Sequence, residues 1–255
     1  MIPLRDQEIL RERFQRELTS RVRIDYFTQR RSPLYVPGRE ECAYCEETRT
    51  LLEEMAALGE RIALTVHELS EATKLAAELG VDRAPGIVIR GQTNRPVRFF
   101  GIPSGNEFPG FVETLIDAAR GSVDLKPETV KQLRKIKSDV QVRVFVTPTC
   151  PHCPALARTA HKLALQSPRV KVDVIEISEF PTLSQRYGIR AVPTTVIGDK
   201  VLLPGVMDET TLLQSIMRVA EGKTIATGES KPGSSSALPS PQAGQTSGAG
   251  LILPR

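Results

Sequence analysis

The chain holds four cysteines, and all four fall in two short motifs, Cys42-Ala43-Tyr44-Cys45 and Cys150-Pro151-His152-Cys153. Two sulfurs three residues apart can close and reopen a disulfide. A pair placed at the start of a helix does so with unequal partners. The first cysteine sits among unbonded backbone N–H groups at the positive end of the helix dipole. That setting favours the thiolate, the nucleophile of thiol–disulfide exchange. The second cysteine lies about one turn deeper, shielded but within reach of the first sulfur. On this reasoning Cys42 and Cys150 attack, and Cys45 and Cys153 resolve.

The residues between the cysteines tune each pair. Pro151 removes a backbone donor, and a protonated His152 adds a cation beside Cys150. This predicts a more oxidising disulfide at the second motif. The first motif has neutral Ala43 and Tyr44 inside a run containing Glu40, Glu41, Glu46 and Glu47. Carboxylates oppose a thiolate, so Cys42 is expected to be the less acidic thiol. Pro154 suits a first helical turn, where its missing N–H costs nothing.

Each motif is followed at the same distance by a proline. Pro85 lies 43 residues after Cys42, and Pro193 lies 43 residues after Cys150. The repetition predicts a cis turn in both places, although only about 5–6% of X–Pro bonds in folded proteins are cis. Such a turn would set Ala84 and Val192 beside the sulfurs, where an extended substrate chain could pair with their backbone.

The elements that must carry these residues also repeat. At an offset of 108, Ile62, Leu64 and Val66 match Val170, Val172 and Val174, and Gly80-Val81 matches Gly188-Ile189. Each copy is the size of a small domain. Each opens with a helical pattern (Leu4 to Leu18; Val130 to Ile136) and an alternating strand (Val22, Ile24, Tyr26; Val142, Val144, Val146). A helix with an apolar stripe follows each cysteine pair: Leu51, Leu52, Met55 and Leu58 in one copy, Leu156, Ala160 and Leu163 in the other. A strand, a short helix ending at glycine, the proline with its apolar strand, and a closing strand and helix complete each copy. The fold class predicted is α/β: two tandem domains, each a central sheet flanked by helices. The boundaries are 1–121, 122–222 and a disordered Ser/Gly/Pro/Ala-rich tail over 223–255. The first copy carries about twelve extra residues before Cys42, including Arg31, Pro33, Pro37 and Gly38, read as a surface loop, a lid or a partner surface.

Composition narrows the function classes. The net charge of +4 over 255 residues, with no basic cluster interleaved with aromatics, gives no support to nucleic-acid binding. No apolar run approaches the roughly 20 residues of a membrane span. The N-terminal residues lack the apolar core of a signal peptide, which predicts a cytoplasmic protein. With every cysteine in a motif, the sulfurs serve redox chemistry or metal binding rather than stapling loops. Two Cys-x-x-Cys pairs could hold one tetrahedral zinc in a non-catalytic interaction protein. The copied prolines have no part in that explanation, so no metal and no cofactor is expected.

Tyr187-Gly188-Ile189-Arg190-Ala191-Val192-Pro193-Thr194 resembles the thioredoxin cis-proline turn. Thr147 to Pro154, with Phe99 to Phe108, resembles the glutaredoxin-like protein disulfide oxidoreductases, which have two thioredoxin folds in tandem. The resemblance runs from about Leu4 to Gly222. It implies exchange of disulfides with disulfide-containing protein substrates and a thioredoxin-reductase-like flavoenzyme as electron donor. It also implies a dominant C-terminal site, here Cys150 and Cys153. His152 stands where that family often has tyrosine. The chain is also similar to the N-terminal module of alkyl hydroperoxide reductase flavoproteins, which implies an alternative: an electron carrier between a flavoprotein reductase and a peroxiredoxin. That module usually keeps one cysteine pair, whereas both survive here.

Glu68 and Glu176 match at the repeat offset, each after three apolar residues at alternate positions. Each is a candidate proton relay to its resolving cysteine, or a strand-end carboxylate that reaches solvent or caps a helix. Asp25 is a weaker candidate. His67 and His161 are expected to be half-exposed, without a functional partner.

Overall fold

The computed structural model describes residues 2–30 and 41–223. The first half runs α1 (Leu4–Glu17), β1 (Val22–Thr28), α2 (Cys45–Leu58), β2 (Ile62–Glu68), α3 (Thr73–Leu79), β3 (Gly86–Arg90), β4 (Val97–Phe100) and α4 (Glu107–Arg120). The second half repeats that order: α5 (Pro127–Leu133), β5 (Val140–Val146), α6 (Cys153–Gln166), β6 (Val170–Glu176), α7 (Pro181–Tyr187), β7 (Thr194–Ile197), β8 (Val201–Pro204) and α8 (Glu209–Ala220). The predicted elements are present in order, in two tandem α/β units. The helix expected over Val130 to Ile136 starts earlier, because Pro127 fits its first turn, and ends at Leu133. The short helices α3 and α7 both stop on a glycine in the left-handed region, Gly80 and Gly188, whose N–H groups close the last turn. The extra loop before Cys42 falls largely, and the tail almost wholly, outside the described residues.

The two units share one sheet. Its strand order is β2-β1-β3-β4-β6-β5-β7-β8. Within each half the strand bearing the cysteine motif pairs in parallel with the next strand and antiparallel with the proline-led strand. The halves meet where β4 pairs in parallel with β6, Arg98 opposite Asp173 and Phe100 opposite Ile175. Periodicity assigns residues to faces but says nothing about which sheet edges meet, so this seam had no sequence signal.

One apolar cluster spans both halves on one face of the sheet, with Phe14, Met55, Phe111, Leu115, Leu156 and Ile216 among its buried members. A second cluster under α3 and α7 on the other face includes Phe27, Phe100, Phe145 and Phe180. The helix α4 lies along α6 and closes the seam on the first face. This packing overturns the expectation for His161, which is 3% exposed. Its Nδ1 faces the Thr114 hydroxyl at 3.2 Å and its Nε2 faces the Arg98 carbonyl at 3.3 Å. Burial pushes this imidazole down to about 4. His67 is half-buried as expected, but it has a partner in Asp25, 3.0 Å away, which also binds Arg90. Among the described residues no helix is long and apolar enough to cross a membrane.

Candidate redox sites

Strands β1, β2, β4, β5 and β6 all run in one direction, so α2 and α6 begin at the same end of the sheet. Four strand spacings separate β1 from β5, about 19 Å at the usual 4.8 Å. The two cysteine pairs therefore lie side by side on one edge, too far apart for their sulfurs to share a zinc ion.

Both pairs are closed disulfides, Cys42–Cys45 and Cys150–Cys153. In each, the second cysteine opens the helix and is the deeper: Cys45 is 2% exposed against 7% for Cys42, and Cys153 is 0% against 9% for Cys150. The backbone N–H of Cys153 donates to the Cys150 sulfur at 3.1 Å, the contact expected at a helix N-terminus. At the first pair the Gln29 N–H donates to the Cys45 sulfur at 3.3 Å, and the Tyr26 hydroxyl donates to the Cys45 carbonyl at 2.6 Å. Burial holds the Tyr26 phenol well above its ordinary value, so it remains a donor. Glu46 and Glu47 occupy the first turn of α2. The first turn of α6 carries no carboxylate and has Pro154 instead; Pro151 and His152 lie exposed just before it.

The bonds Ala84–Pro85 and Val192–Pro193 are both cis, as the repeated spacing predicted. Both prolines are buried, with Ala84 and Val192 half-buried before them. Each proline carbonyl accepts an N–H from the glycine just past the closing strand, Gly101 to Pro85 at 2.9 Å and Gly205 to Pro193 at 2.8 Å. Pro85, Ala84 and Cys42 line one cavity of about 180 Å³.

The glutamates at the ends of β2 and β6 are held by donors. Glu176 is buried and accepts from the N–H groups of Ser178 and Glu179 and from the Ser178 hydroxyl, capping a single 3₁₀ turn. Glu68 accepts from the Arg30 N–H at 3.1 Å and from the Ser70 hydroxyl. Two carboxylates that sequence reasoning missed lie at the seam. Glu107 opens α4 and is 2% exposed; burial alone pushes its carboxyl up to about 7. Its neighbour Asn106 donates to the carbonyl of Pro148, two residues before Cys150. Glu179 lines the cavity of Cys42, and burial likewise pushes it up to about 7. Neither carries a local signal: Glu107 follows the Asn106–Pro148 contact and Glu179 is half-buried against Ile102, both across the seam.

A thioredoxin domain family matches residues 140–217. The thioredoxin of Methanocaldococcus jannaschii is 38% identical over 82 residues, a match covering 32% of this chain and 96% of that protein. The chain belongs to the thioredoxin family. Its tandem arrangement also has solved counterparts. A protein disulfide oxidoreductase from Aeropyrum pernix K1 superposes with a TM-score of 0.78 over 89% of this thioredoxin-family chain and 97% of its own, at 24% identity. The alkyl hydroperoxide reductase AhpF of Xanthomonas campestris pv. phaseoli is 26% identical over 168 residues, 66% of this chain. The chain spans about 30% of the length of that relative. Two thioredoxin-type Cys-x-x-Cys disulfides thus stand on two thioredoxin folds, the arrangement on which thiol–disulfide exchange is built.

Proposed function

We propose that this protein exchanges disulfides with protein substrates in the manner of the glutaredoxin-like protein disulfide oxidoreductases, with Cys150–Cys153 as its dominant pair. The observation that carries this reading is the N–H of Cys153 directed at the Cys150 sulfur, at a helix start without carboxylates. The thiolate of Cys150 attacks a substrate disulfide and one substrate thiolate leaves. Cys153 then attacks the mixed disulfide, releases the second substrate thiolate and re-forms the Cys150–Cys153 bond. Cys42 and Cys45 run the same cycle at the first site. Ala84, Pro85, Val192 and Pro193 form the backbone ledges on which the substrate chain lies. Glu68 and Glu176 enter the scheme as caps that fix the turns after β2 and β6. The units 1–121 and 122–222 act as one body, with 223–255 appended.

Reduction of insulin by the full chain with dithiothreitol tests the reading. Turnover is expected from the natural chain and none from the Cys42→Ser, Cys150→Ser double variant. Turnover that survives in the double variant refutes it.

A second reading is favoured by the match to the alkyl hydroperoxide reductase AhpF over two thirds of the chain. Here the protein carries electrons from a thioredoxin-reductase-like flavoenzyme to a peroxiredoxin. A coupled assay following peroxide consumption with such partners separates the two: peroxide turnover with weak insulin reduction selects the carrier. The cellular setting proposed is the cytoplasm.

A further inference from the structure

We propose that Glu179, carried by the second unit, exchanges protons with the client thiol at the first cysteine pair, so that the first site is completed by the second unit. This rests on the disulfide-exchange reading above.

Glu179 follows β6, yet its side chain crosses the seam. It lines the same cavity as Cys42, Ala84 and Pro85. One carboxyl oxygen, Oε1, accepts the Ile102 N–H at 2.6 Å, just beyond β4 of the first unit. The other, Oε2, is buried and has no hydrogen-bond partner among the described residues. An oxygen left bare in this way costs stability unless something meets it. Gly101 makes the room: a Cβ there would stand 2.8 Å from Oε1 and 2.6 Å from the Glu176 Cβ, at a φ of +97° that side chains rarely adopt. The space at the end of β4 is thus shaped around a carboxyl from the neighbouring unit.

The groups around it explain why this carboxyl holds a proton near neutrality. Glu176 on its own turn and Glu47 on α2 both disfavour its charge, after desolvation as the main cause. Tyr26 on β1 stays neutral. Before β3, Arg83 is paired with Asp82 at 2.6 Å and rests over the Phe180 ring, so its charge is already matched. Glu41 adds negative charge at the cavity lip.

Atoms and electrons balance in both directions. A client thiol gives its proton to the Glu179 carboxylate, and the resulting thiolate attacks the Cys42 sulfur. The Cys42–Cys45 bond breaks and its electron pair leaves on Cys45, while a client–Cys42 disulfide forms. In reverse, the Cys45 thiolate expels the client thiolate, and protonated Glu179 returns the proton.

The test uses the full chain with Cys150→Ser and Cys153→Ser, so that only the first pair reacts. Opening of its disulfide by glutathione is followed from pH 5 to 9. An inflection near 7 is expected beyond that of glutathione itself. It should vanish in Glu179→Gln, with about a tenfold slower rate at pH 8, and return in part in Glu179→Asp. The same Glu179→Gln change in a Cys42→Ser, Cys45→Ser chain should leave the second pair's profile unmoved. A retained inflection with rates within about twofold overturns the proposal, and so does an equal loss at the second pair. Should Glu179→Gln not fold, infrared titration of the Glu107→Gln chain decides: the protonated carboxyl band should fade near pH 7 and shift its midpoint when the first disulfide is reduced. A midpoint blind to reduction overturns the idea. Failure of the parent reading has a different appearance, since glutathione would then open neither disulfide at any pH, and both ideas would fall.

Discussion

The two cysteine helices start alike and continue differently. The first opens Cys45-Glu46-Glu47, and the second opens Cys153-Pro154-Ala155. Carboxylates in a first turn complement the helix dipole and stabilise the helix. The same charges oppose a thiolate at Cys42, three residues before the helix opens. Pro154 starts the second helix equally well with no charge at all. One scaffold can therefore present a subdued sulfur and a reactive one, depending on how its helix is started. The contrast also shows in the hydrogen bonds of the described residues, where a backbone N–H meets the outer sulfur, Cys150, in the second site and the deeper sulfur, Cys45, in the first.

Both sites keep their settings only while the two units stay in one sheet, and the largest expected effect strikes there. Arg98 and Asp173 form a buried pair across β4 and β6, 2.5 Å apart, with side chains 6% and 9% exposed. Replacing Arg98 with Met should cost about 3–5 kcal/mol, because Asp173 is left buried and less well matched. Urea unfolding measures it. The double variant Arg98→Met, Asp173→Leu should recover most of the loss, and a loss under about 1 kcal/mol in the single variant would mean that packing alone holds the seam.

The next largest effect concerns Glu107. Its folded carboxyl sits at about 7 against an ordinary value of 4.5. A raised value means that the folded state binds this proton more tightly than the unfolded chain. Its contribution is then fully present below about pH 4.5 and is lost as pH rises through 7. Glu107→Gln should match the natural chain at pH 5 and exceed it by roughly 2 kcal/mol at pH 8. Thermal unfolding at the two pH values checks the sign, and a variant no more stable at pH 8 refutes it.

The site comparison itself is sharpened by single serine variants. Cys150→Ser should lower insulin reduction at least about tenfold, or roughly 1.4 kcal/mol in the barrier. Cys42→Ser should leave a substantial part. Equal losses would erase the inequality, and a larger loss from Cys42→Ser would reverse it. The smallest effect is expected at His152. His152→Tyr should raise the Cys150 thiol and make its disulfide less oxidising by up to about 30 mV. Thiolate absorbance against pH and equilibration with glutathione give both quantities, and an unchanged thiol removes histidine from the account.

Most of the fold was legible because each element announces itself locally. The stripe Leu51, Leu52, Met55 and Leu58 marks α2, and Val142, Val144 and Val146 alternate along β5. The cysteine pairs and both prolines were legible because they recur at equal spacing. What the sequence concealed lies at the seam. Arg98, Asp173, Glu107 and Glu179 read as ordinary surface charges in their own segments. Only the pairing of β4 with β6, and of α4 with α6, puts them under cover. The burial of His161 was hidden for the same reason: its outer side faces α4 rather than water.

The seam joins unlike edges, the last strand of one unit to the second strand of the next. Such head-to-tail joining has no built-in end, unlike a twofold contact that uses itself up. The sheet thus finishes on β2 at one side and β8 at the other, the same two kinds of edge that meet in its middle. A third unit would find its socket ready. What stands in the way is small: β8 is as short as β4, four residues, but it closes on Pro204, which has no N–H to offer a newcomer. Among the described residues the ribbon thus runs for two repeats, with a proline on its outer strand.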